Sequence, residues 1–180
     1  MQKTQLWDAA LNLGFSENGY LLVVDIISQK LFCLYDQESI KEYIVSTSKY
    51  GLGNVQDSFK TPTGIHEVVQ WIGKDEPIHR IFHERQPTPD IWDMNMTTGK
   101  DLILTRILRL AGLEEGINKG PNIDSYKRMI YLHGTQQEDL LGTPASHGCI
   151  RLKNKDIIEL CDLTWNTPTW CWIGAKNLFG

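Results

Sequence analysis

No stretch of this chain is apolar for long enough to cross a bilayer: a spanning helix needs about 20 consecutive apolar residues, and runs such as Tyr20–Val24 are far shorter. Basic runs are missing as well. The 18 Lys and Arg are scattered and the net charge is −4, so no electrostatic case exists for nucleic acid as a partner. A glycine-rich phosphate loop after a strand is absent, since Gly51 and Gly53 make too short a pair, and no organic cofactor is implied. Cysteine is sparse. Its four positions, Cys33, Cys149, Cys161 and Cys171, are widely spaced. Cys33, Cys161 and Cys171 fall in strand-like or helix-like runs and read as reduced core residues, not as a disulfide framework. The first ten residues carry Asp8 and polar side chains where an export signal needs an apolar centre, so the expected location is the cytoplasm, with no membrane partner. There is no internal repeat and no low-complexity segment. At 180 residues the chain is long enough to bury one core without staples.

What is present concentrates between His133 and Arg151. A His-Gly-Thr turn and a Ser-His-Gly-Cys-Ile-Arg run enclose a short loop, with twelve residues between His133 and Ser146. His133 ends the apolar run Met129-Ile130-Tyr131-Leu132, which reads as a strand. Cys149 precedes the alternation Ile150-Arg151-Leu152, which reads as a turn feeding a short ordered segment. Gly148 lets the backbone turn tightly, so consecutive N–H groups can point at one spot. A thiol, an imidazole and a cluster of donors are the parts that acyl transfer through a thioester requires. Taken singly, a cysteine is more often a small buried hydrophobe; the combination in this order carries the reading.

The His-Gly-Thr, the Ser-His-Gly-Cys-Ile-Arg and the upstream Lys60-Thr61-Pro62-Thr63-Gly64 together resemble the L,D-transpeptidase catalytic domain, also called YkuD-type. The resemblance runs from about Tyr20 to Ile173. It implies a mainly β fold, a curved sandwich-like sheet system with short peripheral helices. It implies Cys149 as nucleophile, His133 as base, and the carbonyl of Gly134 as the group that orients the imidazole. The N–H groups of Gly148 and Cys149, with His147, are the implied oxyanion hole. Arg151 either anchors a substrate carboxylate or ties the loop down. Ser146 shapes the turn or lies against substrate. Arg106 is an ion-pair partner or a reader of a substrate carboxylate. The Lys60–Gly64 block is a plain turn or a support for the site. An adjacent imidazole and aligned N–H dipoles are expected to lower the thiol from its usual pKa of ~8.5.

The implied substrate is a peptidoglycan-derived tetrapeptide or muropeptide, cut between the L-centre of meso-diaminopimelate and D-alanine. Water as acceptor makes the enzyme an L,D-carboxypeptidase; a stem amine makes it an L,D-transpeptidase forming 3→3 cross-links. The expected location favours the carboxypeptidase and muropeptide recycling. Acylation of Cys149 by a carbapenem is a further implied property. Two other classes compete. A zinc site from His133, His147 and Cys149 lacks a fourth ligand and a shared helix face, so no metal is assigned. A binding module without turnover sits poorly with an intact Cys149 and His133.

Along the chain, residues 1–19 are expected to hold a helix packed on the core, with Leu6, Ala9, Ala10 and Leu13 on one stripe. Residues 20–180 form the single catalytic domain. Tyr20–Ile27 and Lys30–Tyr35 read as a hairpin, with Ser39–Ser46 and Thr63–Ile72 as further strands. Lys74–Lys100 shows little periodicity and reads as a lid or a surface excursion. Asp101–Leu110 fits a strand or a helix, the resemblance favouring the strand. Leu113–Tyr126 reads as a loop, Lys155–Asp162 as a helix and Thr167–Ile173 as the closing strand.

Overall fold

The computed structural model describes residues 3–96, 99 and 101–175. Met1, Gln2, Thr97, Thr98, Lys100 and residues 176–180 lie outside the described residues, so the ends of the expected 1–19 and 20–180 spans and part of 74–100 do too.

The elements in chain order are α1 (Lys3–Asn12), β1 (Tyr20–Asp25), β2 (Lys30–Tyr35), β3 (Glu38–Ser46), β4 (Gly64–Ile72), β5 (Arg80–His83), β6 (Gln86–Ile91), β7 (Ile103–Gly112), β8 (Tyr131–Gly134), β9 (Ile150–Leu152), α2 (Asn154–Thr164) and β10 (Thr169–Gly174). The strands run β4-β10-β1-β2-β3-β9-β8-β7-β5-β6, and β4 also pairs with β7. That extra pairing closes eight strands on themselves and leaves β5–β6 as a hairpin standing off β7. The fold is mainly β, as the sequence implies.

Strand alternation sorts the side chains. Leu22 and Val24 of β1 face a central core with Leu31, Leu108, Leu132, Ile150 and Leu152, onto which α2 lays Ile157, Leu160 and Cys161. Leu21 and Val23 face the other way, and with Phe32, Trp170 and Trp172 they cover Leu6, Trp7 and Ala10 of α1. A third, small cluster of Phe82, Ile107 and Tyr131 lies where the β5–β6 hairpin meets β7 and β8, and Cys149 packs against it.

Turn chemistry fixes the hairpins. Asp36 and Gln37 both have positive φ (47° and 63°), as do Glu84 and Arg85 (48° and 70°). Two consecutive left-handed residues make the type I′ turn that matches strand twist. The second turn carries Arg85 to the tip of β5–β6. β7 is interrupted at Thr105, whose φ is +72°. Its ladder to β8 shifts between Leu104 and Ile107, so the first part of β7 serves β5 and the remainder serves β4.

Candidate active site

β8 and β9 are parallel neighbours, with Leu132 opposite Ile150 and His133 opposite Arg151. Leu132, Ile150 and Leu152 enter the central core. Side chains alternate along a strand, so Tyr131 and His133 of β8 and Arg151 of β9 share the opposite face. β8 and β9 lie about 4.8 Å apart, as neighbouring strands do, and Cys149 sits in the turn that enters β9, two residues before Arg151, the partner of His133.

Both residues are held by local contacts. His133 is buried, and its Nδ1 donates to the Gly134 carbonyl at 2.8 Å. Gly134 has no room for a side chain, since a Cβ there would stand 2.8 Å from the Leu104 carbonyl oxygen. Cys149 is half-buried at a cleft, and its thiol donates to the Met129 carbonyl at 3.5 Å. Burial lowers the pKa of His133 below its ordinary value; the Gly134 hydrogen bond and Asp101 oppose that shift. Burial pushes the Cys149 thiol up to about 11, against the opposing hydrogen bond to Tyr131 and the positive charges of Arg151 and Arg128. The sequence expectation of a lowered thiol pKa is therefore corrected. Desolvation is the largest influence on the thiol and outweighs the neighbouring donor and cations.

The loop between the strands is built from side-chain anchors. Gly148 has φ +125°, a conformation reserved for glycine. Its carbonyl accepts the Thr61 hydroxyl at 3.0 Å, and Thr61 Oγ1 in turn accepts the Ser48 N–H at 2.9 Å. The Lys60–Gly64 block thus braces the cysteine turn. The Ser146 hydroxyl donates to the Cys149 carbonyl at 2.6 Å and accepts the Gly148 N–H at 3.2 Å.

These contacts bear on four of the sequence readings. Gly148 spends its N–H on Ser146, so an oxyanion hole would have to use the Cys149 N–H and His147 instead. Ser146 is buried and shapes the turn. Arg151 is 1% exposed, and its guanidinium pairs with Asp101 and donates to Gln137 at 2.9 Å, so it ties the loop down. Arg106 is buried and donates to the carbonyls of Glu76 (2.7 Å) and Thr105 (2.6 Å), and it does not line the cleft of Cys149.

The cleft that holds Cys149 encloses about 400 Å³, and its lining also includes Arg85, Arg128, Tyr131, Phe59, Asp57 and His147. Sequence reasoning missed Arg85 and Arg128. Arg128 donates to the carbonyls of Gly53 (3.1 Å) and Lys60 (2.6 Å), and Arg85 donates to the Tyr131 hydroxyl at 3.1 Å. The signal for Arg128 was its place five residues before His133, at the head of the strand. Arg85 had none, because only the hairpin brings it over the cleft. Asp101 was also unassigned. It lies 3.6 Å from His147 Nδ1 besides pairing with Arg151, and so ties the exposed histidine to the buried cation.

Among the described residues, no group of three His, Cys, Asp or Glu stands close enough together to hold a metal ion. A second histidine–serine pair, His66 Nε2 with Ser125 Oγ at 2.9 Å, is sealed from solvent and cannot meet a substrate.

Compared with known families, residues 19–168 match the YkuD L,D-transpeptidase catalytic domain, and the chain belongs to this family. No curated protein matches it. Among solved structures, an L,D-transpeptidase from Mycobacterium smegmatis superposes with a TM-score of 0.54 and 18% identity, over 87% of this chain and 59% of that one. L,D-transpeptidase 3 from Mycobacterium tuberculosis gives 0.51 and 13% identity, over 87% and 61%. The chain thus spans about three-fifths of the length of these structures, and at such identity the likeness is one of fold.

Proposed function

We propose that the protein is a cysteine acyl-enzyme hydrolase of peptidoglycan tetrapeptide stems, an L,D-carboxypeptidase working on muropeptides in the cytoplasm. The observation that carries the reading is the shared face of β8 and β9. His133, oriented through Nδ1 by the Gly134 carbonyl, pairs with Arg151, two residues after Cys149, and Cys149 lines the cleft.

Substrate binding turns the thiol from the Met129 carbonyl toward His133. Nε2 takes the thiol proton as sulfur attacks the carbonyl of the L-centre of diaminopimelate. The Cys149 N–H and His147 receive the negative charge on oxygen. The tetrahedral adduct collapses, the C–N bond breaks, and His133 returns the proton to the departing D-alanine amine. Water then attacks the thioester, His133 takes its proton, and collapse releases the tripeptide and the thiol.

One observation supports the finer choice of compartment. All four cysteines are free, and Cys33, Cys161 and Cys171 are buried together in one core, which suits a reducing compartment. The test is incubation of the purified protein with tetrapeptide and with disaccharide-tetrapeptide, products read by mass spectrometry. Tripeptide and D-alanine are expected. Dimers of cross-linked mass would replace this reading with the transpeptidase, and unchanged substrate would remove both. Cell fractionation tests the location separately.

A further inference from the structure

Three rings stand together at the mouth of the cleft. Tyr50 and Phe59 have centroids 6.3 Å apart, Tyr50 and His147 6.1 Å, and Phe59 and His147 6.3 Å. Tyr50 is 49% exposed, Phe59 57% and the neighbouring Val55 61%. Single exposed apolar residues need no explanation, but a contiguous patch beside a site does.

The backbone under the patch is also out of the ordinary. Asp57 and Phe59 both hold left-handed conformations, at φ 60° and 56°. A bulky side chain avoids this region, and such strain persists only where surrounding contacts enforce it. Here they do. The Ser48 hydroxyl donates to the Phe59 carbonyl at 2.5 Å and accepts the Tyr50 N–H at 3.0 Å. Arg128 pins the Lys60 carbonyl at 2.6 Å. The loop therefore spends hydrogen bonds to hold two large rings in water, where burial does not reward them.

We propose that Tyr50 and Phe59, beside His147, form a saccharide-stacking platform, so that the substrate is taken with its sugar attached. This rests on the reading of the cleft as a tetrapeptide-stem site. The apolar faces of a sugar ring lie against aromatic rings, while its hydroxyl and acetamido groups need donors and acceptors at the edge. Gln56 and Asp57 line the same cleft, and the Lys49 ammonium lies 5.2 Å over the Tyr50 ring. The position fits as well. The sugar is joined to the first residue of the stem and the attacked carbonyl belongs to the third, a separation of at most ~10 Å for an extended chain. His147 is two residues from Cys149, the Phe59 carbonyl oxygen is 3.7 Å from where a Cβ of Gly148 would stand, and the Tyr50 ring lies 6.1 Å from the His147 ring.

The test compares kcat/KM for free tetrapeptide and for disaccharide-tetrapeptide in the wild type and in Tyr50→Ala, which lies outside the cleft lining. In parallel, peptide-free disaccharide is titrated into Cys149→Ala while the His147 ring resonances are followed by NMR. The wild type is expected to favour the sugar-linked substrate at least tenfold, through KM. Tyr50→Ala should lose that preference with its rate on free tetrapeptide unchanged, and the disaccharide should move the His147 signals. Equal wild-type kcat/KM on both substrates overturns the proposal, as does an equal loss on both in Tyr50→Ala. If neither substrate turns over yet the disaccharide moves the signals, the hydrolase reading fails and the platform stands. If neither happens, both fail.

Discussion

The Nδ1 of His133 lies 2.8 Å from the carbonyl oxygen of Gly134, its neighbour in β8. A carbonyl only accepts, so Nδ1 carries the proton and Nε2 is left with the lone pair that a base requires. The orienting group bears no full charge, so it steers the ring without holding a permanent imidazolium. His133→Gln should keep the fold and lower kcat by about 10²–10⁴-fold. Steady-state kinetics beside a melting curve checks this; activity within threefold of wild type would remove His133 from the chemistry.

A raised thiol beside a lowered imidazole has a signature in pH. Burial holds the thiol near 11 and keeps the His133 pKa below its ordinary 6.5. The base form of His133 is lost as pH falls, so kcat/KM should decline on an acid limb centred below 6.5 and stay level through neutrality. Alkylation of Cys149 by iodoacetamide should still be accelerating above pH 9. An alkylation rate that levels off by pH 7 would show an ion pair instead.

Asp101 and Arg151 form an ion pair in which the arginine is 1% exposed. Asp101→Ala leaves a buried cation with Gln137 as its remaining side-chain acceptor, and losing one partner of such a pair costs about 3 kcal/mol or more. Urea denaturation should show a fall of that size, with Asp101→Asn losing less because its amide oxygen still accepts. Stability unchanged in Asp101→Ala would mean that Arg151 reaches water.

His66 supplies a stability prediction independent of the site. Burial lowers its pKa to about 4, against hydrogen bonds from the imidazole to the carbonyls of Gly64 and Cys171. Above 6.5 the ring is neutral in both folded and unfolded chains and contributes no slope. As pH falls from 6.5 toward 4 the unfolded chain takes up a proton that the folded one refuses, so stability drops, by about 3 kcal/mol at ~1.36 kcal/mol per unit. In His66→Gln that part of the acid slope should vanish. An unaltered slope would assign it to other groups.

Much of this was legible in the sequence, for identifiable reasons. The β1–β2 hairpin, β3, β4, α2 and β10 follow from β-branched and apolar periodicity, and their bounds differ from expectation by a few residues. β6 was missed because Pro87 and Pro89 argue against a strand; both are tolerated on the outer edge of a hairpin that pairs only with β5. β7 was ambiguous because its alternation breaks at Thr105, where the ladder shifts. Cys149 and His133 were legible because the motif is local. The fates of Arg106 and Arg151 were not, since partners such as Glu76, Asp101 and Gln137 come from other elements or other parts of the loop. The thiol pKa was misjudged because burial is a property of the folded cleft, not of the His-Gly-Cys run.

The central claim is that Cys149 forms a thioester with the stem. Its most direct measurement is acid-quenched mass spectrometry of the protein during turnover of a tetrapeptide, with the adduct mapped by digestion. A tripeptide-acyl group is expected on the peptide bearing Cys149, absent in Cys149→Ala and accumulating when water attack is slowed. An adduct on Cys33, Cys161 or Cys171, or turnover that persists in Cys149→Ala, would contradict it.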